Sequence, residues 1–303
     1  MTIIIALIAF SAISMTATKI IYDNIFARRD GKYTETPFQL EQMVNSRKEN
    51  EYPSGENLLA GYFYPCENEN KKDTLVVIAP GFNAGADSYL WQIKSLLDYG
   101  WSVFAFDATG SFQSEGNSSV GFSQELCDIR ATLDYIEESD RFGYKDIALL
   151  GHSIGGYAVC CALRYEYKIS AVVSISGVNS AMEGVISSSA NYVGYFAYGN
   201  YGFLWQYQTM LFGADVVNMS ASDEISQSDT PVLIVHGSED NLFPDDKYSI
   251  ISHRDEITSS QVEYLVCSTD EQNGHTSLLF DSDGTANKQL MSEINDFLIR
   301  STK

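Results

Sequence analysis

Basic residues are scarce in this chain of 303: 19 Lys and Arg stand against 40 Asp and Glu, a formal charge of −21 with histidine neutral. A field of that sign repels phosphate backbones and anionic headgroups, which argues against nucleic acid as a partner. Cysteine is also sparse. Cys66, Cys127, Cys160, Cys161 and Cys267 are odd in number and lack the short spacings of a metal site, so they read as small core residues of a reducing compartment. Neither a Walker A motif nor a dinucleotide fingerprint is present, and no metal or cofactor is expected.

Long apolar runs are lacking with one exception. Ile3 to Met15 reads IIIALIAFSAISM, with no charge before Lys19. The run is marginal for a membrane span and about right for a signal segment, so residues 1–18 are expected to meet the membrane. Lys19, Arg28 and Arg29 follow it and none precedes it, a bias that would keep the following domain cytoplasmic as an uncleaved anchor. Export, with Ala12 and Ser14 serving a peptidase, and a packed N-terminal helix stay open as alternatives.

Beyond this segment the chain alternates between strand and helix. Tyr22 to Asn45 reads as helical, with Thr36 and Pro37 as N-cap and first-turn proline. Arg47 to Tyr52 and Leu58 to Tyr64 flank Pro53-Ser54-Gly55-Glu56-Asn57, an antiparallel hairpin that opens a sheet. Apolar runs at Thr74–Ala79, Trp101–Phe106, Ile147–Leu150, Ser170–Ile175, Pro231–Val235 and Val262–Cys267 lack strict alternation, which predicts strands buried on both faces. Between them, Leu90, Ile93 and Leu97 share a helix face; so do Phe122, Leu126, Ile129, Leu133 and Ile136, and, at the end, Leu290, Met291, Ile294, Phe297 and Leu298. The fold class is therefore α/β: a mostly parallel sheet with helices on both faces.

The stretch from Val178 to Thr230 interrupts the alternation and is read as an insertion. Tyr192, Tyr195, Phe196, Tyr198, Tyr201, Phe203, Trp205, Tyr207 and Phe212 concentrate in it. These aromatics suit a cap over the active site, with Tyr195, Phe196 and Trp205 as substrate-binding candidates; a small aromatic core of its own is the alternative. Residues 19–177 and 231–303 would then make up the main domain, with 178–230 as the cap.

Asp146 to Cys161, DIALLGHSIGGYAVCC, carries the chemistry. A strand ends at Gly151, a helix starts after Ser153, and any Cβ at Gly151 or Gly155 would crowd the backbone of the turn. Ser153 is thereby pushed out above the sheet as a nucleophile.

With APGF at Ala79–Phe82, FDATGSFQS at Phe106–Ser114, GHSIGG at Gly151–Gly156, HGSEDNLFP at His236–Pro244 and NGH at Asn273–His275, the chain resembles the α/β-hydrolases. The resemblance runs from about Leu58 to the C-terminus and is to the capped serine hydrolases grouped with serine aminopeptidases and monoglyceride lipases. It implies a triad in the order serine, acid, histidine, and acyl-transfer chemistry. The base must lie after the last strand, which selects His275 over His253. The pattern H-G-x-x-D selects Asp240, with Glu239, Asp245 and Asp246 as competitors; His152 and His236 are expected to make structural hydrogen bonds. The oxyanion hole would be the backbone N–H groups of Phe82 and Ile154. Where the family often has His-Gly, this chain has Pro80-Gly81, so the loop must be held in another way.

These readings predict a serine hydrolase working through an acyl-enzyme on carboxylic esters of small to medium, lipid-like acyl chains. Peptidase, amidase and acyltransferase activities use the same triad and remain alternatives, as does a non-catalytic binding module. Oligomeric state is not specified.

Overall fold

The computed structural model describes residues 2–28, 36–138, 142–244, 247–269 and 271–302, without the side chains at 2, 191, 192 and 196. The strands are β1 (Lys48–Ser54), β2 (Asn57–Tyr64), β3 (Thr74–Ala79), β4 (Ser102–Phe106), β5 (Asp146–His152), β6 (Ile169–Ile175), β7 (Val232–Gly237) and β8 (Val262–Cys267). They form one sheet in the order β1-β2-β4-β3-β5-β6-β7-β8. The hairpin β1–β2 and the pair β2–β4 are antiparallel, and every other pairing is parallel.

Successive side chains of a strand point to opposite faces, and both faces of this sheet are covered. Leu75, Val77, Phe104, Phe106, Leu149, Val172 and Ile234 enter one core, beneath α4 (Phe122–Glu137) and α5 (Ile154–Cys161). Val76, Ile78, Val103, Leu150, Val173 and Leu233 enter the other, beneath α3 (Leu90–Asp98) and α11 (Lys288–Ser301). The heptad-like positions expected in α4 and α11 are all buried. In α3 it is Leu96 that is fully buried, while Leu97 lies half-exposed at the margin.

Several boundaries differ from the sequence reading. β8 was expected to be buried on both faces, but as the last strand of the sheet it is half-covered, and Tyr264 and Val266 are exposed. The hairpin turn shrinks to Gly55 and Glu56, because Ser54 is a strand residue whose buried hydroxyl donates to Asp128 at 2.7 Å. Gly55 takes the positive φ of 60° that the reversal needs. Thr36 makes no cap: the short helical stretch starts at Phe38 and has no side-chain capping bond. Arg29 lies outside the described residues.

The apolar N-terminal run is part of a longer helix, α1 (Thr2–Ile25). Its second half is packed on the domain, and Tyr22, Ile25 and the following Phe26 are buried in the core with α4 and β3. Between β6 and β7 the chain forms α6 (Ala181–Val193), α7 (Phe196–Gly199), α8 (Tyr201–Phe212), α9 (Ala214–Val217) and α10 (Ala221–Ser226); a short α2 (Glu41–Ser46) precedes β1. α6 seats Ala181, Met182, Val185 and Ile186 on the core, and α8 lies along α1, with ring centroids 5.2 Å apart at Tyr22 and Tyr207.

Phe26 is fully buried. Its ring meets Phe82 at 5.5 Å and Phe122 at 5.2 Å, both edge-on. Phe26→Ala removes a ring from a closed site and should lower the unfolding free energy by about 3–5 kcal/mol in urea titrations. A loss below about 1 kcal/mol would mean that the segment after α1 is peripheral to the fold.

Candidate active site

The order of the sheet reverses between β3 and β5: the chain runs from β3 outward to β4, then returns to β3's other side as β5. A crevice opens at the carboxyl ends of strands at such a point. Phe82 follows β3 and Ser153 follows β5, so both are delivered there.

Ser153 has φ 58° and ψ −119°, a conformation that costs a non-glycine residue about 1–3 kcal/mol. Close packing enforces it. A Cβ on Gly151 would stand 2.2 Å from the Gly155 carbonyl oxygen, and one on Gly155 would stand 2.3 Å from that of Ala79. The Ser153 amide donates to the Ile175 carbonyl at 2.8 Å.

The turn aims Ser153 Oγ at His275 Nε2, 2.9 Å away, and His275 Nδ1 lies 2.8 Å from Asp240 Oδ2. The other oxygen, Oδ1, accepts from the backbone amides of Leu242 at 2.9 Å and Phe243 at 3.0 Å. Burial disfavours the Asp240 anion, but the bond and charge of His275, the Phe243 amide and the nearby His236 outweigh it and hold the carboxyl below its usual range. The acid and base loops are tied to each other, since the Glu239 amide donates to the Asn273 carbonyl at 2.8 Å. The Glu239 side chain itself is exposed, and Asp245 and Asp246 lie outside the described residues. His253 is engaged elsewhere, with Nδ1 3.0 Å from the Ser249 carbonyl. His236 Nε2 donates to the Phe243 carbonyl at 3.0 Å.

Among the described residues, the amides of Phe82 and Ile154 have no acceptor. Both residues line the narrow cavity beside Ser153 that also includes Gly81, Asn83, Phe122 and Glu125. Two unused donors facing one cleft next to a serine suit an oxyanion.

A chain of hydrogen bonds not anticipated from the sequence holds this loop. The Gly81 amide donates to Tyr89 Oη at 2.9 Å, Tyr89 Oη lies 3.0 Å from His152 Nδ1, and His152 Nε2 lies 2.9 Å from the His275 carbonyl oxygen. A carbonyl only accepts, so Nε2 carries the proton, Nδ1 accepts and the phenol donates. Burial, then the proximity of His275, lowers the His152 pKa to about 4, which keeps the ring neutral. The oxyanion loop, the elbow and the base loop are thus joined by two side chains. The absence of histidine before Gly81 implied such a support but not its identity.

Glu125 was also missed, because its place on α4 is one helical turn from Asp128 and resembles a solvated position. It is buried, its Oε1 has no partner among the described residues, and burial, then the Asp128 charge, raise its pKa well above the usual range. Asp128 by contrast accepts from Ser54, Thr109 and Gln124.

The two aromatic candidates of the insertion whose side chains are described, Tyr195 and Trp205, are exposed or engaged within the insertion. Tyr195 is 92% exposed, and the Trp205 indole donates to Asn218 at 2.8 Å. The side chains of Tyr192 and Phe196 lie outside the described set. Phe203 meets Phe10 and Tyr207 meets Tyr22, so these rings join the insertion to α1.

Tyr89→Phe should lower kcat about 10-fold or more, the scale of one misaligned oxyanion donor, with KM little changed. Equal kcat in the variant would show that Gly81 is held without the phenol. Glu125→Gln tests the buried acid. A raised folded pKa gives stability that is full below the unfolded value near 4.5 and is lost as pH rises toward the folded one. The glutamine variant should therefore match the parent near pH 4 and exceed it at pH 7 and above, by about 1.4 kcal/mol for each tenfold difference in proton affinity. A pH-independent difference would refute this assignment.

Residues 70–194 match the family model described as serine aminopeptidase, S33. The uncharacterized protein YfhR of Salmonella typhi is 29% identical over 241 residues, covering 73% of this chain and 72% of that protein. Esterase Pf2001 of Pyrococcus furiosus has a similar structure, with a TM-score of 0.68 and 18% identity over 92% of this chain and 98% of that one. Est1E of Butyrivibrio proteoclasticus, solved with ferulic acid, has a TM-score of 0.61 and 18% identity over 84% and 99%. Sheet order, elbow and these likenesses agree on an α/β-hydrolase fold.

Proposed function

We propose that the protein is a serine hydrolase that cleaves carboxylic esters through an acyl-enzyme on Ser153. The observation that carries this reading is the unbroken set of contacts from Ser153 Oγ through His275 to Asp240, at 2.9 and 2.8 Å, beside the two free amides of Phe82 and Ile154.

A serine hydroxyl is a weak nucleophile at neutral pH, so His275 Nε2 takes its proton as Oγ attacks the substrate carbonyl. The carbonyl oxygen becomes anionic and is met by the Phe82 and Ile154 amides. Asp240 fixes the imidazole tautomer and favours the imidazolium. Collapse expels the alcohol, which receives the proton from His275. Water then attacks the acyl-enzyme with the same base, releasing the acid and restoring Ser153.

Peptide or amide cleavage is the second reading, favoured by the aminopeptidase description of the matching family model. An aminopeptidase needs an ionised carboxylate to hold the substrate ammonium. Here Asp240 is committed to His275; of the two carboxyls in the cavity beside the Phe82 and Ile154 amides, Asp128 is occupied by Ser54, Thr109 and Gln124, and burial raises the pKa of Glu125 well above the usual range. This supports esters over free-amine peptides. An uncharged, lipid-like ester also fits a chain of net charge −21. We assign α1 as its attachment to the membrane, with the hydrolase domain on the cytoplasmic side.

Ser153→Ala, His275→Ala and Asp240→Asn should each lower turnover of a p-nitrophenyl ester by roughly 10⁴ to 10⁶, with double variants little worse, because the three act as one unit. Glu239→Gln should cost little. Fluorophosphonate should label the parent and not Ser153→Ala. Full activity in any of the three single variants would overturn the reading, and faster cleavage of aminoacyl anilides than of esters would replace it with the second.

A further inference from the structure

α1 presents two different surfaces. From Ser14 onward one residue in each turn is buried against the domain: Ser14, Thr18, Tyr22 and Ile25. Before Ser14, Ile3, Ile4, Ile5, Leu7, Ile8, Phe10 and Ile13 are each at least 60% exposed, and they face every side of the helix. Mean hydropathy over the most apolar 18 residues of the helix is 2.0. A helix that is apolar all round requires an apolar medium all round, which lipid supplies, whereas a partner protein covers one side. Thr16 turns its hydroxyl back onto the Ala12 carbonyl at 2.8 Å, a bond that lipid does not disturb.

The exposed shaft, eleven residues from Ile3 to Ile13, is about 16 Å long at 1.5 Å per residue, roughly half of a 30 Å hydrocarbon layer. The remainder of the helix is docked on the domain, yet its outer side still shows Ile20, 57% exposed. Lipid covers that side only if the domain itself comes down onto the bilayer.

The groups beside the shaft fit that position. Phe203, at the start of α8, packs edge-on against Phe10 at 6.2 Å. In the stretch leading to it, Tyr195, Tyr198 and Tyr201 are 92, 42 and 50% exposed. Farther along the seam it becomes polar: Tyr207 donates to Asp23 at 3.0 Å, and Lys19 pairs with Asp23 and reaches the Tyr207 hydroxyl. An exposed apolar shaft, exposed amphipathic rings and charge at Lys19 and Asp23 are the three kinds of group that a membrane interface accommodates.

We infer that α1 and the tyrosine-bearing stretch from Tyr195 to Tyr201 form one lipid-docking surface. The shaft before Ser14 enters the hydrocarbon, Tyr195, Tyr198 and Tyr201 sit among the headgroups, and the insertion between β6 and β7 rests on the bilayer. The net charge of −21 selects a zwitterionic surface over an anionic one. The inference rests on the proposed attachment through α1, and it requires no hydrolysis.

The test uses the full chain with phosphatidylcholine vesicles and two variants, Tyr195→Trp and Ile8→Trp. Both should float with the vesicles. The tryptophan at position 195 should lose fluorescence to lipid brominated near the headgroup and be little affected by bromine near the chain ends; the one at position 8 should show the reverse. Flotation with position 8 quenched but position 195 untouched would overturn the docking surface and leave the attachment standing. Absence of flotation would overturn both. Position 8 unquenched in a chain that cross-links as a dimer would assign the shaft to a second copy instead.

Discussion

The site depends on one close approach, that of the elbow to the end of β3. Gly155 lies so near the carbonyls of Ala79 and Pro80 that no side chain fits between them. That contact puts the amide after Gly81 and the amide after Ser153 on the same cleft, and it forces Ser153 into its positive φ. A bulkier residue would separate the Ser153 turn from the Phe82 amide, and repacking elsewhere could not recover the approach, because the contact is backbone on backbone. The strain of the turn is offset by the parallel ladder of β3, β5 and β6 on either side.

Around this point three buried ionisable groups take three different states, and partners decide each. Asp240 is an anion because two amides and an imidazole surround it. Glu125 is shifted toward the neutral acid by burial, its Oε1 having no partner among the described residues. His152 is a neutral base with a fixed tautomer, because one nitrogen faces a phenol and the other a carbonyl. Burial is common to the three; the difference lies in hydrogen bonding, which sets whether a charge survives desolvation.

What could be read from the sequence follows from the same distinction. The strands, α4 and α11 were legible because apolar periodicity records burial directly. The elbow was legible because glycine records close backbone approach, and the likeness of His236–Pro244 and Asn273–His275 to family patterns pointed to Asp240 and His275. Tyr89 was not, since a tyrosine in a polar loop gives no sign of which amide its hydroxyl will meet. Glu125 was hidden for the opposite reason: a glutamate on an amphipathic helix next to Leu126 looks like part of the wet face. β8 misled because its apolar composition is that of an interior strand while its place in the sheet order is at the edge, and order is a tertiary property. In the insertion the aromatic concentration was plain, but its direction was not. Those rings turn largely toward α1, a partner nearly two hundred residues away in sequence.

That last contact links regions the sequence presents as separate. α1 is bound to α8 through Tyr22 and Tyr207, and the residue directly after its end, Phe26, packs on Phe82 and Phe122. Phe82 carries one of the two free amides, so the apolar helix and the oxyanion loop are separated by a single ring. A tether that only held the domain to a surface would need no such contact and could end in a flexible linker. Here the helix end is part of the wall behind the cleft, and Gly121, pressed against the Tyr22 hydroxyl, allows α4 to start directly beneath it. Any force that tilts α1 is therefore felt first at Phe26, and through it at Phe82, whose amide is the proposed oxyanion donor.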